Sequence, residues 1–323
     1  MVQYSQCIRM YRVANVNDGV FMDILKKLTE EFPSIREDRA QNIINLIDEG
    51  NTIPFIARYR KEMTGSCDDQ VLREFNDRLL YLRNLEKRKE EVEKSITDQG
   101  KMTDEIRLAL DAATTLTEVE DIYRPYKQKK KTRASVAIER GLQPLADFIL
   151  AQDKNADVKA EAEKYIDEEK GIKTVDEAIA GAKDIIAEIV SDDANVRKKL
   201  RNLFMKNGEI ETKLVNADKD DAKVYEMYAD YSESVAEIKS HRVLAVNRGE
   251  KEGFLKVKVT FNDVIAKRIA GAGYLKDGGY STQLVQEAVE DSYDRLIYPS
   301  IEREIRAALT ESASEQAIKM FEV

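Results

Sequence analysis

DQVLREFNDRLLYLRNLEKRKEEVEKSITD, residues 69–98, decides the fold class. Leu72, Phe75, Leu79, Leu82, Val92 and Ile96 recur at threes, fours and sevens without a Gly or Pro, so the stretch reads as one helix of about 45 Å at 1.5 Å per residue, stopped by Gly100. The same grammar extends outward. Upstream, Ser34 with Glu37 reads as a capping box for a helix over roughly 36–49, with Gly50 at its C-terminal stop. Pro54 then opens a second short helix, with Phe55, Ile56 and Tyr59 on one face and Arg58, Arg60 and Lys61 on the other. Downstream, Thr103 and a Thr117 to Glu120 box start two more helices, and Gly141 and Pro144 separate further short ones. Residues 153–170 read as an acidic surface helix. Thr174 with Glu177 caps a helix whose Ala178, Ile179, Ala182, Ile185, Ile186, Ile189 and Val190 form a second core. Period-two alternation at 209–215 and 254–261 predicts two short strands. From Thr282 the chain reads as helix broken only by Pro299.

These signals predict an all-α, elongated, multi-helical chain with a helix-turn-helix lobe and one small antiparallel β-pair. Its 323 residues, at roughly 150 per domain, imply two or more domains. The expected division is a poorly ordered leader over 1–18, a helical lobe with helix-turn-helix and basic loop over 19–150, a helical lobe over 151–208, a mixed lobe over 209–280, and terminal helices over 281–323. The last helix ends at KMFEV without a cap, which reads as a chain cut before a further domain.

Composition narrows the chemistry. One histidine, His241, and two cysteines, Cys7 and Cys67, cannot supply the ligand sets of zinc sites or a disulfide framework. No run approaches the 18 or so apolar residues of a membrane span, and the expected location is cytoplasmic. A net charge of −9 excludes a uniformly basic nucleic-acid binder but not a local cluster. The glycine-rich GAGYLKDGG, 271–279, lacks the Gly-Lys-Ser/Thr ending of a phosphate loop and reads as a turn. Acidic clusters such as Glu90, Glu91, Glu93 and Glu118, Glu120, Asp121 read as solvated faces, His241 as a packing or capping residue, and Cys67 as an inert thiol.

Two basic features remain. Arg58, Arg60 and Lys61 lie on the second helix of a helix-turn-helix pair, a placement that can meet a duplex groove. Arg124, Lys127, Lys129, Lys130, Lys131 and Arg133 put six cations within ten residues beside Tyr123 and Tyr126, offering phosphate contact and base stacking together.

The blocks carrying these features, LIDEGNTIPFIARYRKEMTG at 46–65 and LTEVEDIYRPYKQKKKTRA at 116–134, with GLQPLADFI at 141–149 and YSESVAEIKSHRVLAVNRGEKEGFLKVKV at 231–259, resemble the Tex family of bacterial transcription accessory proteins. Where that family usually carries a second glycine before the long helix, this chain has Ser66 and Cys67, and Gln128 stands where proline is common. The resemblance implies a longer protein, with a ribonuclease-H-like domain, helix-hairpin-helix elements and an OB-type RNA-binding domain further on, and it carries over no catalytic residue. The function expected is a non-catalytic scaffold and auxiliary nucleic-acid surface in transcription, binding RNA or DNA weakly and salt-dependently, with no cofactor, metal or membrane partner. RNA polymerase or another transcription factor is the expected protein partner. The alternative is a protein-interaction module docking on the transcription machinery without touching nucleic acid, and a nuclease would need a metal-binding carboxylate cluster that the sequence does not display.

Overall fold

The computed structural model describes residues 23–128, 130–216, 220–276 and 279–321. The leader expected over 1–18 lies outside them. Among the described residues there are sixteen α-helices and three strands, so the mostly helical reading holds. The chain divides after Tyr126 into two compact units.

The first unit opens on a helix that its sequence did not announce, α1 (Ile24–Glu31), whose N-cap Asp23 accepts the Lys26 amide at 3.1 Å. Helix α2 (Glu37–Asp48) follows, but its N-cap is Arg36, without a side-chain cap. The Ser34 box does not form because the Ile35 amide donates to the Phe32 carbonyl, a turn that drives Ile35 into the core and delays the helix. Gly50 has φ +83°, and the Asn51 amide reaches back to the Leu46 carbonyl at 3.2 Å, the left-handed helix stop the sequence predicts. Helix α3 (Ile53–Tyr59) carries Pro54 in its first turn and breaks at Arg60 before a single further turn, α4 (Lys61–Thr64). The long helix α5 (Asp69–Asp98) spans the predicted residues.

Helix α5 serves two cores in succession. Its first half packs Leu72, Phe75, Leu79 and Leu82 against Leu28, Ile43 and Ile56. Its second half packs Leu85, Val92 and Ile96 against Leu110, Ala113 and Val119 of α6 (Asp104–Ala112) and α7 (Leu116–Tyr123). Thr103 caps α6 as expected. The cap of α7 is Thr115 rather than Thr117: its hydroxyl accepts the Glu118 amide at 3.2 Å, and the Glu118 carboxylate accepts the Thr114 amide at 2.7 Å. The capping chemistry was legible; its register was two residues off.

The second unit holds a third core. Helices α8 (Arg133–Glu139) and α9 (Gln143–Ala151) flank Gly141, which has φ +87°. The surface helix expected over 153–170 shrinks to α10 (Val158–Glu163), which buries Val158 and Ala162. It ends in a bridge between Asp167 and Ile172 whose turn is held by the Asp167 carboxylate accepting the Glu169 and Lys170 amides. Local side-chain capture of this kind competes with helix. Helix α11 (Val175–Asp192) is capped by Thr174 as predicted and precedes α12 (Ala194–Asn207).

The expected β-pair is a three-stranded antiparallel sheet, with β1 (Glu209–Leu214) between β2 (Asp230–Ser234) and β3 (Leu255–Thr260). Strand β2, DYSES, has no apolar alternation and no buried residue, whereas the other edge, β3, buries Leu255, Val257 and Val259 on one face. Helix α13 (Ser240–Lys251) lies between β2 and β3 in sequence, and α14 (Asp263–Gly271) and α15 (Tyr280–Ser292) follow. The break expected at Pro299 falls earlier, in a π turn over Tyr293–Ile297 where the Tyr298 amide donates to the Tyr293 carbonyl. Pro299 then follows directly as the second residue of α16 (Tyr298–Phe321).

Candidate nucleic-acid interface

Helix α3 is a seven-residue helix that buries one side chain, Ile56. Around it Arg58, Arg60 and Lys61 are all exposed, and none of the three has a carboxylate partner among the described residues. Six other arginines of this unit are held by carboxylates. Arg36 pairs with Asp38, Arg73 with Asp69, Arg78 with Glu31, Arg83 with Asp48, Arg88 with Glu120 and Arg107 with Glu93, at 2.5 to 3.1 Å. Arg60 instead lies over the Phe55 ring, 5.4 Å from its centroid.

The lobe behind this helix closes on Gly65 (φ +73°) and Ser66 (φ +61°). The Arg39 side chain crosses directly over Gly65, so that an added Cβ would fall 1.7 Å from its Nη1. Cys67 donates its thiol to the Thr64 carbonyl at 3.0 Å. Burial pushes that thiol up, and the nearby Arg39 charge only partly opposes it.

The second basic feature straddles the point in the chain where the first unit gives way to the second. On the first side, Tyr123 is half-buried, shares a 3.0 Å hydrogen bond with Ser95 and carries the Arg88 guanidinium 5.5 Å above its ring. Arg124 and Tyr126 are half-buried in a 3-10 turn, and the Tyr126 carbonyl accepts from Gln99 Nε2. These rings belong to the second core rather than to open solvent. On the other side, Lys127, Lys130, Lys131 and Arg133 are exposed, and Lys129 lies outside the described residues. Lys131 stands 3.9 Å from Glu139, and the Arg133 charge acts on Asp184 and Asp291, lowering the proton affinity of each. Thr132 anchors the end of the run through a capping box with Ser135 and a 3.3 Å hydrogen bond to Glu188.

Several of the remaining sequence candidates are taken up in structural contacts. Tyr274 of the glycine-rich turn donates to Asp193 at 2.8 Å, and Gln152 holds both the Tyr274 carbonyl and the Lys276 amide. Gly271 closes α14 and residues 277–278 are outside those described. Glu91, Glu93 and Glu120 are taken up by arginines and Glu118 by its cap. His241 is exposed in the first turn of α13. Among the described residues no group of three or more His, Cys, Asp or Glu is disposed to hold a metal ion, and no helix is long and apolar enough to cross a membrane.

Sequence reasoning missed the exposure of Phe55 and Tyr59, which it had grouped with Ile56. The signal was present: a seven-residue helix containing Ile53, Phe55, Ile56, Ala57 and Tyr59 has more apolar surface than one packed face can hide.

Taken together, the class is a mostly helical protein with two cores in its first unit, a third in its second, and an exposed cationic helix pair. Residues 22–97 match the Tex-like protein N-terminal domain and residues 153–321 the Tex central region-like domain, and the chain belongs to the Tex family. It is 46% identical over 300 residues to YdcI of Bacillus subtilis, covering 92% of this chain and 42% of that protein. It is 37% identical over 313 residues to the transcriptional accessory protein Tex of Neisseria gonorrhoeae, covering 93% of this chain and 40% of the relative. The human S1 RNA-binding domain-containing protein 1 is 31% identical over 298 residues, 87% of this chain and 29% of that protein. The chain thus spans about two fifths of the length of its bacterial relatives.

Proposed function

We propose that this chain is a non-catalytic scaffold and auxiliary nucleic-acid-binding region of a Tex-like transcription accessory protein, making phosphate contacts through Arg58, Arg60 and Lys61 and, secondarily, through the lysine run. One observation carries the reading: these three cations are exposed and without carboxylate partners among the described residues, on a unit that holds six of its other arginines against carboxylates at 3.1 Å or less. An unpaired cation keeps its full attraction for phosphate, and at 0.15 M salt the Debye length of about 8 Å screens the more distant acidic surface. The names of two relatives, a transcriptional accessory protein and an S1 RNA-binding domain-containing protein, point the same way. Lysine and arginine contacts to phosphate predict weak affinity, little sequence preference and a logarithmic salt slope. The test is binding of a labelled single strand at several salt concentrations, comparing the parent with Arg58→Gln/Arg60→Gln/Lys61→Gln. On single strands the slope should flatten by about two, near 0.7 for each phosphate that the variant no longer neutralises. Equal slopes would remove these residues from the interface.

A second reading, docking on RNA polymerase or another transcription factor, is supported by the second unit. There Val224 and Met227 are 73% and 75% exposed, beside a surface cavity of about 450 Å³ lined by Val224, Tyr225, Arg248, Glu252 and Phe254. A parent that binds no nucleic acid at low salt would leave this reading in possession.

A further inference from the structure

We propose that Tyr59, backed by Phe55, is a stacking platform for an unpaired base, so that the α3 and α4 turn takes single-stranded nucleic acid in preference to a duplex. This rests on the cationic reading above and adds the base to the phosphate.

The platform is built at the expense of packing. Phe55 is 37% exposed and Tyr59 61%, with Met63 also open, although Ile56 on the same helix is fully buried. Phe55 and Tyr59 are four residues apart, so they share a face, and that face is turned away from the core that Ile56 fills. Their ring centroids lie 5.1 Å apart with planes inclined at 44°. Such an inclination leaves much of the Tyr59 ring uncovered by its neighbour. Phe55 is engaged by Tyr59 and by the Arg60 guanidinium 5.4 Å from its centroid, and Tyr59 is left facing outward. Its hydroxyl has no hydrogen-bond partner among the described residues, whereas Tyr123, Tyr225, Tyr274, Tyr293 and Tyr298 all bond within their own units. An exposed aromatic ring flanked by Arg58, Arg60 and Lys61 has the two parts that sequence-tolerant single-strand binding requires: a π surface for the base and cations for the backbone on either side. Glu62 is the one carboxylate between residues 53 and 64.

The residues of α3 also argue against groove reading. A recognition helix meets base edges with the polar side chains of its N-terminal part. Here that part is Ile53, Pro54 and Phe55, which offer base edges no hydrogen bond. In a duplex the faces of the bases are covered by their neighbours, so a ring can reach one only by unstacking it, at a cost of a few kcal/mol. A single strand presents those faces without that cost. Aromatic, Met and Arg side chains also make protein hot spots, and the rim of unpaired cations is what favours a polyanion over a neutral protein surface.

The experiment measures binding of the whole chain to three probes of equal length: a single-stranded oligonucleotide, an abasic strand with the same phosphates, and a duplex. The parent should bind the base-bearing strand about tenfold more tightly than the abasic one, since stacking of one base contributes on the order of 1–3 kcal/mol. Tyr59→Leu should erase that difference while leaving the salt slope unchanged, and Tyr59→Phe should retain it, because the ring and not the hydroxyl does the stacking. A 2-aminopurine reporter in the strand should be quenched by the parent and by Tyr59→Phe but not by Tyr59→Leu. Equal binding to base-bearing and abasic strands, with the salt slope intact, would overturn the platform and leave the cationic surface standing. No binding to any probe at low salt would overturn both and reassign the aromatic face to a protein partner.

Discussion

Glu304 on α16 holds Arg197 of α12, whose side chain has no exposed surface, at 2.5 Å, and reaches the Arg201 guanidinium on its other oxygen at 2.8 Å. Residues more than a hundred positions apart in sequence are thereby tied inside the second unit. Burial raises the proton affinity of Glu304, but Arg197 and Arg201, with a hydrogen bond from Ser300, outweigh it and hold the carboxyl below its ordinary 4.5. Removing this carboxylate takes a counter-charge held at 2.5 Å away from a fully buried guanidinium, and breaking such a buried pair costs about 3 kcal/mol or more.

Glu304→Ala should therefore lower the urea midpoint of the second unit strongly, and Glu304→Gln by less, because the amide still accepts a hydrogen bond. The pH dependence has a definite sign. A carboxyl whose folded pKa is depressed stabilises the fold above its unfolded pKa, and that stability is lost as pH falls through the folded value. Asp291, held down by Arg295, and Glu287, held down by Lys183, act in the same direction. Asp184, pushed up by burial against the pull of Arg295, acts in the opposite direction. Titration from neutral pH to below 4 should cost the parent more stability than Glu304→Gln; parallel curves would show that Glu304 is not linked to acid unfolding.

The turn between α2 and α3 gives a cleaner test, because backbone conformation is isolated from packing. Gly50 has φ +83°, and a Cβ built there meets nothing within 4 Å. Gly50→Val should thus be penalised by the left-handed backbone alone, about 1–2 kcal/mol, with Gly50→Ala at the lower end. Thermal melting of both variants checks it, and a valine as stable as the parent would mean that the turn has another conformation.

Ser66 is the converse case. It sits at φ +61°, and its predecessor Gly65 is left-handed too. Ser66→Gly relieves a strain of about 1–2 kcal/mol while making the unfolded chain more flexible by about 0.5–1 kcal/mol. The expected outcome is a small rise in melting temperature, and a fall would show that the serine is compensated by contacts of its own.

What could be read from sequence follows from what each signal measures. The span of α5 was legible because thirty residues of unbroken period leave no competing structure, and the Gly50 and Gly100 stops because left-handed backbone has few alternatives to glycine. The registers of the Ser34 and Thr117 boxes were not: the burial of Ile35 moved the start of α2 past Ser34 to Arg36, and at α7 Thr114, Thr115 and Thr117 all stood within two residues of the true cap. Strand β2 was silent because none of its five residues is buried, so no apolar side is written into its sequence, whereas β3, also an edge, buries alternate residues and was legible. At the candidate interface the cations were legible from composition, but their pairing was not. Nothing in KQKKKTR announces Glu139 or Asp184, and IPFIARY announces more apolar surface than one face can hide without saying that Tyr59 is the ring left outside.

That difference in pairing ranks the two basic features. A phosphate approaching Arg58, Arg60 or Lys61 displaces no carboxylate among the described residues. One approaching Lys131 competes with Glu139 at 3.9 Å, and one approaching Arg133 meets the field of Asp184 and Asp291. A cation already facing a carboxylate neutralises a phosphate less completely, so it releases fewer of the counterions condensed on the strand and contributes less to the salt slope. Lys129→Gln/Lys130→Gln/Lys131→Gln should flatten the slope on single strands by about one, against about two for the Arg58, Arg60 and Lys61 triple variant. Neither set should change the helical spectrum, since Arg58, Arg60, Lys61, Lys130 and Lys131 all lie outside the hydrophobic clusters. If the loop variant flattens the slope more than the helix variant does, the lysine run is the principal phosphate contact and the pairing with Glu139 gives way on binding.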